Sequence, residues 1–149
     1  MADPAGAVQE ALIAKYRGNA SLQALMVGAV APEWNIFDQG GDGATLPSFP
    51  YVSVHPITSQ LGSILSFGTD AMDIYIQVSV FTKEQGFEKA RAIMAQIYQL
   101  THGPISERLV LSDDFNNALA IFDNRQELEE VQDGFIQHIA DRYKLWVQG

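Results

Sequence analysis

Between Asp73 and Pro104 the chain changes its hydrophobic period. In D-I-Y-I-Q-V-S-V-F-T, Ile74, Ile76, Val78 and Val80 alternate with Tyr75, Gln77, Ser79 and Phe81. That alternation predicts a strand with one face turned to a core. From Phe87 onward the spacing is helical: Phe87, Ala90, Met94, Ile97 and Thr101 form one stripe, widened by Ile93 and Leu100. Thr82, with Gln85 three residues on, reads as a capping box that opens the helix. Gly86 then falls in the first turn as a weak spot, and Gly103-Pro104 ends the helix.

The pattern before this switch is more broken. Ala7 to Arg17 is rich in helix formers, with Val8, Leu12, Ile13 and Tyr16 recurring on one side, and Gly18-Asn19 stops it. Ser21 to Met26 predicts a second short helix closed by Gly28. Val30-Ala31-Pro32 begins either an edge strand or a loop, and Asp38 to Ser48, with its D-Q-G-G-D-G core, predicts a loop. Tyr51 to His55 predicts a short strand that Pro56 ends. Thr58 to Thr69 reads as irregular, yet it carries Leu61, Ile64, Leu65 and Phe67. Apolar side chains at that density need a cover, either the subunit's own core or another subunit.

After the helix, Arg108 to Leu111 predicts a strand, with a bend or bulge at Asp113-Asp114 and Asn116-Asn117. Ala118 to Phe122 resumes the strand, and Asp123 to Glu130 reads as a polar turn. From Gly134 to Val147 two periods compete. Phe135, Ile139, Tyr143 and Val147 fit a helical stripe; with Leu145 they also fit one face of a strand, interrupted by Gln137 and Asp141. Aromatic and β-branched content favours the strand, paired in a hairpin with its predecessor across the acidic turn. The order α-α-β-β-α-β-β predicts an α+β fold. It would hold an antiparallel or mixed sheet of about four strands, with helices packed on one face. If the long helix joins parallel neighbours, its crossover is expected to be right-handed. The 149 residues are expected to form one domain.

Composition narrows the function by exclusion. With 18 acidic against 9 basic residues the formal net charge is −9, which argues against a surface that wraps nucleic acid. It suits a surface that nucleic acid passes without sticking. No apolar run approaches a membrane span, and the N-terminal Met-Ala-Asp-Pro-Ala-Gly-Ala lacks the pattern of a secretory signal. The absence of cysteine removes disulfides and thiolate metal sites.

The search for chemistry is equally negative. His55, His102 and His138 have no second histidine or carboxylate at metal-ligand spacing, and His102 suits a helix C-terminus. The loop from Asp38 to Gly43 lacks the distal glutamate of a calcium loop. No phosphate-binding glycine loop, nucleophile elbow or paired-histidine zinc helix occurs. Lys89 and Arg91 are expected to pair with Glu84 and Glu88 along the helix. Neither catalytic, metal nor cofactor-binding residues are expected, so function is sought in contact surfaces.

The layout resembles the tail-completion, or tail-terminator, proteins of long-tailed bacteriophages and related gene-transfer particles. The resemblance is carried by A-L-I-A-K-Y-R, A-S-L-Q-A-L-M and V-G-A-V, then by L-P-S-F-P-Y-V-S-V after the glycine-rich loop. It continues through D-I-Y-I-Q-V-S-V-F-T, E-K-A-R-A-I-M-A-Q-I-Y-Q-L-T-H-G, R-L-V-L and F-I-Q-H-I-A-D-R-Y, covering nearly the whole chain. The resemblance implies a structural virion protein without enzymatic activity or cofactor, assembled in the host cytoplasm. It would form a ring, typically a hexamer, at the neck-proximal end of the tail, ending tube polymerisation and joining the head. The implied partners are further copies of itself, the tail-tube protein, a head-completion or neck protein, and DNA that passes without sequence-specific binding; no membrane is involved. The alternatives are another connector or tube protein of the same particle, or a small ligand-binding or enzymatic domain.

Contact residues are expected in three places: the apolar segment with Leu61, Ile64, Leu65 and Phe67; the strand face with Tyr75, Gln77 and Ser79; and the acidic run with Glu127, Glu129 and Glu130.

Overall fold

The computed structural model describes residues 4–26, 36–37, 49–61, 71–83, 86–102, 117–131 and 135–148. In chain order these form α1 (Pro4–Arg17), α2 (Ala20–Leu25), β1 (Ile36–Phe37), β2 (Tyr51–Leu61), β3 (Ala71–Thr82), α3 (Glu88–Thr101), β4 (Asn117–Glu130) and β5 (Ile136–Gln148). The strands make one sheet in the order β1-β2-β3-β5-β4. The four long strands pair antiparallel, and the two-residue β1 adds a parallel edge beside β2. The expected α+β architecture is therefore present. β3 and β4 run parallel but are not neighbours, because β5 lies between them.

One face of the sheet builds the core. Ile74, Ile76, Val78 and Val80 of β3 are fully buried, as are Val52 and Val54 of β2 and Ile139, Tyr143 and Leu145 of β5. Onto them pack Val8, Leu12 and Tyr16 from α1 and Ala90, Ile93, Met94 and Ile97 from α3. The helical and alternating stripes of the sequence thus meet each other. Burial of each large aliphatic side chain contributes about 2 kcal/mol. Asn19 does double duty between the first two helices: it follows α1 and caps α2, its Oδ1 accepting from the Leu22 N–H at 2.8 Å.

Two polar side chains interrupt the core face of β5, as the alternation predicts: Gln137 and Asp141 are fully buried. Asp141 is satisfied by Arg125 of β4, which donates from Nε and Nη2 at 2.7 and 2.9 Å. Nearby, the Tyr16 hydroxyl bonds Thr101 Oγ1. Thr101 gives its own proton to the Ile97 carbonyl at 2.7 Å, so Tyr16 is the donor. Burial pushes the Tyr16 and Tyr143 phenols well above their ordinary range, and the Asp141 charge adds to it.

Several expectations are corrected. Thr82 is the last residue of β3 and almost fully buried, not a helix cap; α3 begins after Phe87, whose side chain makes no capping bond. Gly86 precedes the helix in a bend, with φ of +90°, a conformation glycine alone adopts without strain. Pro56 does not end β2. The ladder shifts register between Pro56 and Thr58 and continues to Leu61, because a bulge absorbs the missing N–H. The run Asp123–Glu130 is strand, not turn, and the chain reverses between Glu130 and Ile136. Edge position explains the error: every residue from Asp123 to Glu129 is exposed, so no apolar alternation marks it. The β4 bulge lies between Phe122 and Asn124. The expected features over 27–35, 38–48, 62–70 and 103–116 lie outside the described residues.

Candidate functional site

The sheet face opposite the core carries the distinctive chemistry. Alternation sends Tyr75, Gln77, Ser79 and Phe81 of β3 to that side, and the register sets each against partners on β2 and β5. Tyr51, Phe81 and His138 form one cross-strand row. Their rings stack with centroids 4.6 Å apart (Tyr51–Phe81) and 4.1 Å apart (Phe81–His138), and Phe49 extends the row at 5.4 Å from Tyr51. Leu128 of β4 stands opposite His138 at the other end and is exposed. Lys83 lies 5.9 Å from the centre of the Phe49 ring.

The next row is low. Ser53, Ser79 and Ala140 are aligned across β2, β3 and β5 and are all buried, overtopped by larger neighbours. Beyond them His55, Gln77 and Arg142 form a polar row, with Gln77 Nε2 donating to Ser79 Oγ at 3.1 Å. Further along, Lys144 reaches the nearly buried Asp73 at 3.5 Å. The face is therefore zoned into an aromatic row, a shallow floor and a charged end.

The β4 edge is the second feature. Ile121 and Leu128 are exposed on it, and so are Val131, just past β4, and Phe135, just before β5. Side-chain contacts tie β4 to the body, among them Arg125 to Asp141, Arg91 to Glu127, and the His102 imidazole, whose Nδ1 accepts from the Phe122 N–H at 2.9 Å. Arg91 therefore pairs across to the sheet rather than along its own helix, donating to Glu127 at 2.6 and 3.2 Å. That contact holds the Glu127 carboxyl below its usual range.

The residues singled out by sequence fall in different places. Tyr75 and Gln77 are half-buried on the outer face, while Ser79 is sunk in its floor. Leu61 is the last residue of β2, opposite Met72; Ile64, Leu65 and Phe67 lie outside the described residues. Glu127, Glu129 and Glu130 lie on β4 opposite Ile139, Gln137 and Ile136. The structure brings together a row that sequence reasoning missed, Tyr51, Phe81, His138 and Leu128. Only its β3 member carried a signal, as an aromatic on the polar side of an alternating strand. Among the described residues, no group of three His, Asp or Glu is placed to hold a metal ion. No described helix is long and apolar enough to cross a membrane.

The sequence model for tail completion protein gp17 matches residues 10–131. The chain belongs to the tail completion protein gp17 family. This tail completion protein is thus a structural component of a virion or tail particle. It is also similar to a chain in the solved virion of a native gene transfer agent particle. That comparison gives a TM-score of 0.68 at 23% identity and covers 97% of each chain; at that identity the likeness shows the shared fold. No curated protein matches the sequence.

Proposed function

We propose that this tail completion protein closes into a ring, a hexamer, that caps the tail tube, ends its polymerisation and offers the surface to which the head or neck joins. One observation carries the reading. Among its described residues, a chain of a tail-completing family presents a stacked aromatic row on the sheet face opposite the core and an edge strand with exposed Ile121 and Leu128. Such surfaces are buried by assembly rather than by the subunit's own core.

The remaining parts of the proposal follow from charge and placement. A net charge of −9 suits a ring through which DNA slides without binding. The ring would sit at the neck-proximal end of the tail, after assembly in the host cytoplasm. Its contacts would draw on Tyr75, Gln77 and Ser79 of the outer face, on Leu61, Ile64, Leu65 and Phe67, and on Glu127, Glu129 and Glu130 of β4.

Two measurements test this. Native mass spectrometry and negative-stain imaging of the purified chain should give a closed ring of one stoichiometry. Particles made without the protein should show overlong tails and unjoined heads. A chain that stays monomeric and never caps tubes in an assembly assay would sink the proposal; particles with no tails at all would point instead to a tube protein.

A further inference from the structure

We propose that β4 is where the ring meets a different protein, taking as a further strand a segment that alternates basic with apolar residues. This rests on the ring reading above and gives the chemistry of one of its partners.

The two edges of the sheet are unlike. β1 has two residues, and the Arg17 guanidinium already occupies the Ile36 carbonyl, from Nη2 at 2.6 Å and Nε at 3.1 Å. β4 has 14 residues; it pairs with β5 along one side and, among the described residues, with no strand along the other. A long edge of this kind is a template for pairing with another chain. From Asp123 to Glu129 every residue is exposed, although alternate side chains face opposite sides of the sheet. The β5 residues opposite them include the buried Gln137, Ile139, Ala140 and Asp141. Packing thus stops at β5 and leaves both flanks of β4 open.

Alternation gives the two flanks different chemistry. Glu127 and Glu129 stand on the core face, opposite Ile139 and Gln137. Leu128 stands on the other face, opposite His138 at the end of the aromatic row. A strand laid along β4 continues each of these rows by one side chain. On one flank that side chain meets a carboxylate, and on the other it meets Leu128. Lys or Arg alternating with an aliphatic residue complements both. Exposed apolar side chains occur elsewhere too, Ile57 at the β2 bulge and Tyr98 on α3. β4 differs in placing one between flanking carboxylates along a sheet edge.

The chain's own basic residues argue against a second copy as the occupant. Arg91, Arg125, Arg142 and Lys144 reach Glu127, Asp141, Asp123 and Asp73 of their own chain. Arg17 holds Ile36, Lys83 lies over Phe49, and Lys15 and Lys89 each have contacts within the chain. The described Lys and Arg side chains are thus engaged at home, and the net charge is −9. A second copy therefore brings carboxylates to this strip rather than cations. Pairing β4 with β4 would set Glu127 and Glu129 against their own copies, which like charge disfavours. Because Arg91 engages Glu127 within the subunit, Glu129 is the better probe of the acidic flank, and Leu128 probes the other.

The test uses the full chain and a fluorescein-labelled peptide, Lys-Val-Lys-Val-Lys-Val-Lys, with a scrambled peptide of the same composition as control. Anisotropy should show the alternating peptide binding about fivefold more tightly than the scrambled one. Glu129→Lys and Leu128→Asp should each weaken it by about fivefold, and Ile57→Asp should not. The Glu129→Lys loss should shrink in high salt. Circular dichroism verifies that each variant is folded. Sedimentation velocity should find the ring of Glu129→Lys assembling within about twofold of the wild-type concentration. No peptide binding, equal binding of the two peptides, or binding that ignores both β4 variants overturns the proposal. A Glu129→Lys ring that assembles less readily also overturns it, since the strip would then meet another copy. A wild-type chain that is monomeric at every concentration overturns the ring reading, while peptide binding still decides what β4 recognises.

Discussion

Arg125 on the edge strand holds Asp141 on its neighbour through two parallel hydrogen bonds, and the two differ sharply in burial. The aspartate side chain is fully buried, whereas 32% of the arginine side chain remains exposed. The arginine pays no full desolvation cost while satisfying a charge that has no water to turn to. The pair therefore fastens the exposed β4 to the core side of the sheet.

Removing the arginine should be costly. Arg125→Ala leaves Asp141 buried without its partner, and stability should fall by about 3 kcal/mol. Replacing both residues by leucine should recover most of that loss, since a well-packed apolar pair can substitute for a buried ion pair. Urea unfolding of the three variants measures this. If Arg125→Ala unfolds within about 0.5 kcal/mol of wild type, the pair is incidental to stability.

Gly86 offers a narrower test. Its φ is +90°, and a Cβ built there meets nothing within 4 Å. Gly86→Ala should therefore cost only backbone strain, about 1 kcal/mol. The melting temperature should fall, with an unchanged oligomeric state. A neutral or stabilising effect would show that the bend before α3 relaxes readily.

The parts of the fold that sequence made legible are those with two periods in contact. Ile74 to Val80 and the stripe from Ala90 to Thr101 each announce a face, and each face packs on the other. The β5 strand was ambiguous in period, and the structure shows why it looked interrupted: Gln137 and Asp141 lie on the core face itself. What could not be read is the edge. Asp123 to Glu129 touches solvent on both sides, so burial imposes no pattern and a strand looks like a polar turn. The aromatic row was hidden for another reason. Tyr51, Phe81 and His138 come from three strands far apart in sequence, and cross-strand register, not spacing, aligns them. The family layout was thus legible in the sequence, while the geometry of the candidate site was not.

The strand assignment can be challenged directly. Ile76 is fully buried in the centre of β3, so Ile76→Asp places an unpaired charge in the core and should cost about 4 kcal/mol or more. That is a large part of a typical domain's stability, and loss of cooperative unfolding is the expected readout. Leu128→Asp, on the exposed edge, should change monomer stability by less than about 0.5 kcal/mol. A folded, cooperative Ile76→Asp subunit would contradict the packing described here.

The buried phenols predict a pH dependence. Tyr16 donates to Thr101 and both Tyr16 and Tyr143 are fully buried, with desolvation the largest cause of their raised pKa values. A phenol is neutral while protonated, so burial favours the protonated form in the folded chain. Below about pH 10 folded and unfolded chains both keep these protons, and the two groups impose no slope. Above about pH 10 the unfolded chain releases them while the folded chain holds them, so the unfolded state binds fewer protons and stability must fall as pH rises. Each phenol contributes about 1.4 kcal/mol per pH unit, until its folded-state titration begins. Denaturant midpoints measured upward from pH 9 should therefore decline, and Tyr16→Phe should flatten the decline by roughly half. Part of the phenolate absorbance should appear only when the chain unfolds. A Tyr16→Phe chain with the wild-type slope would show that Tyr16 is accessible to hydroxide in the folded state.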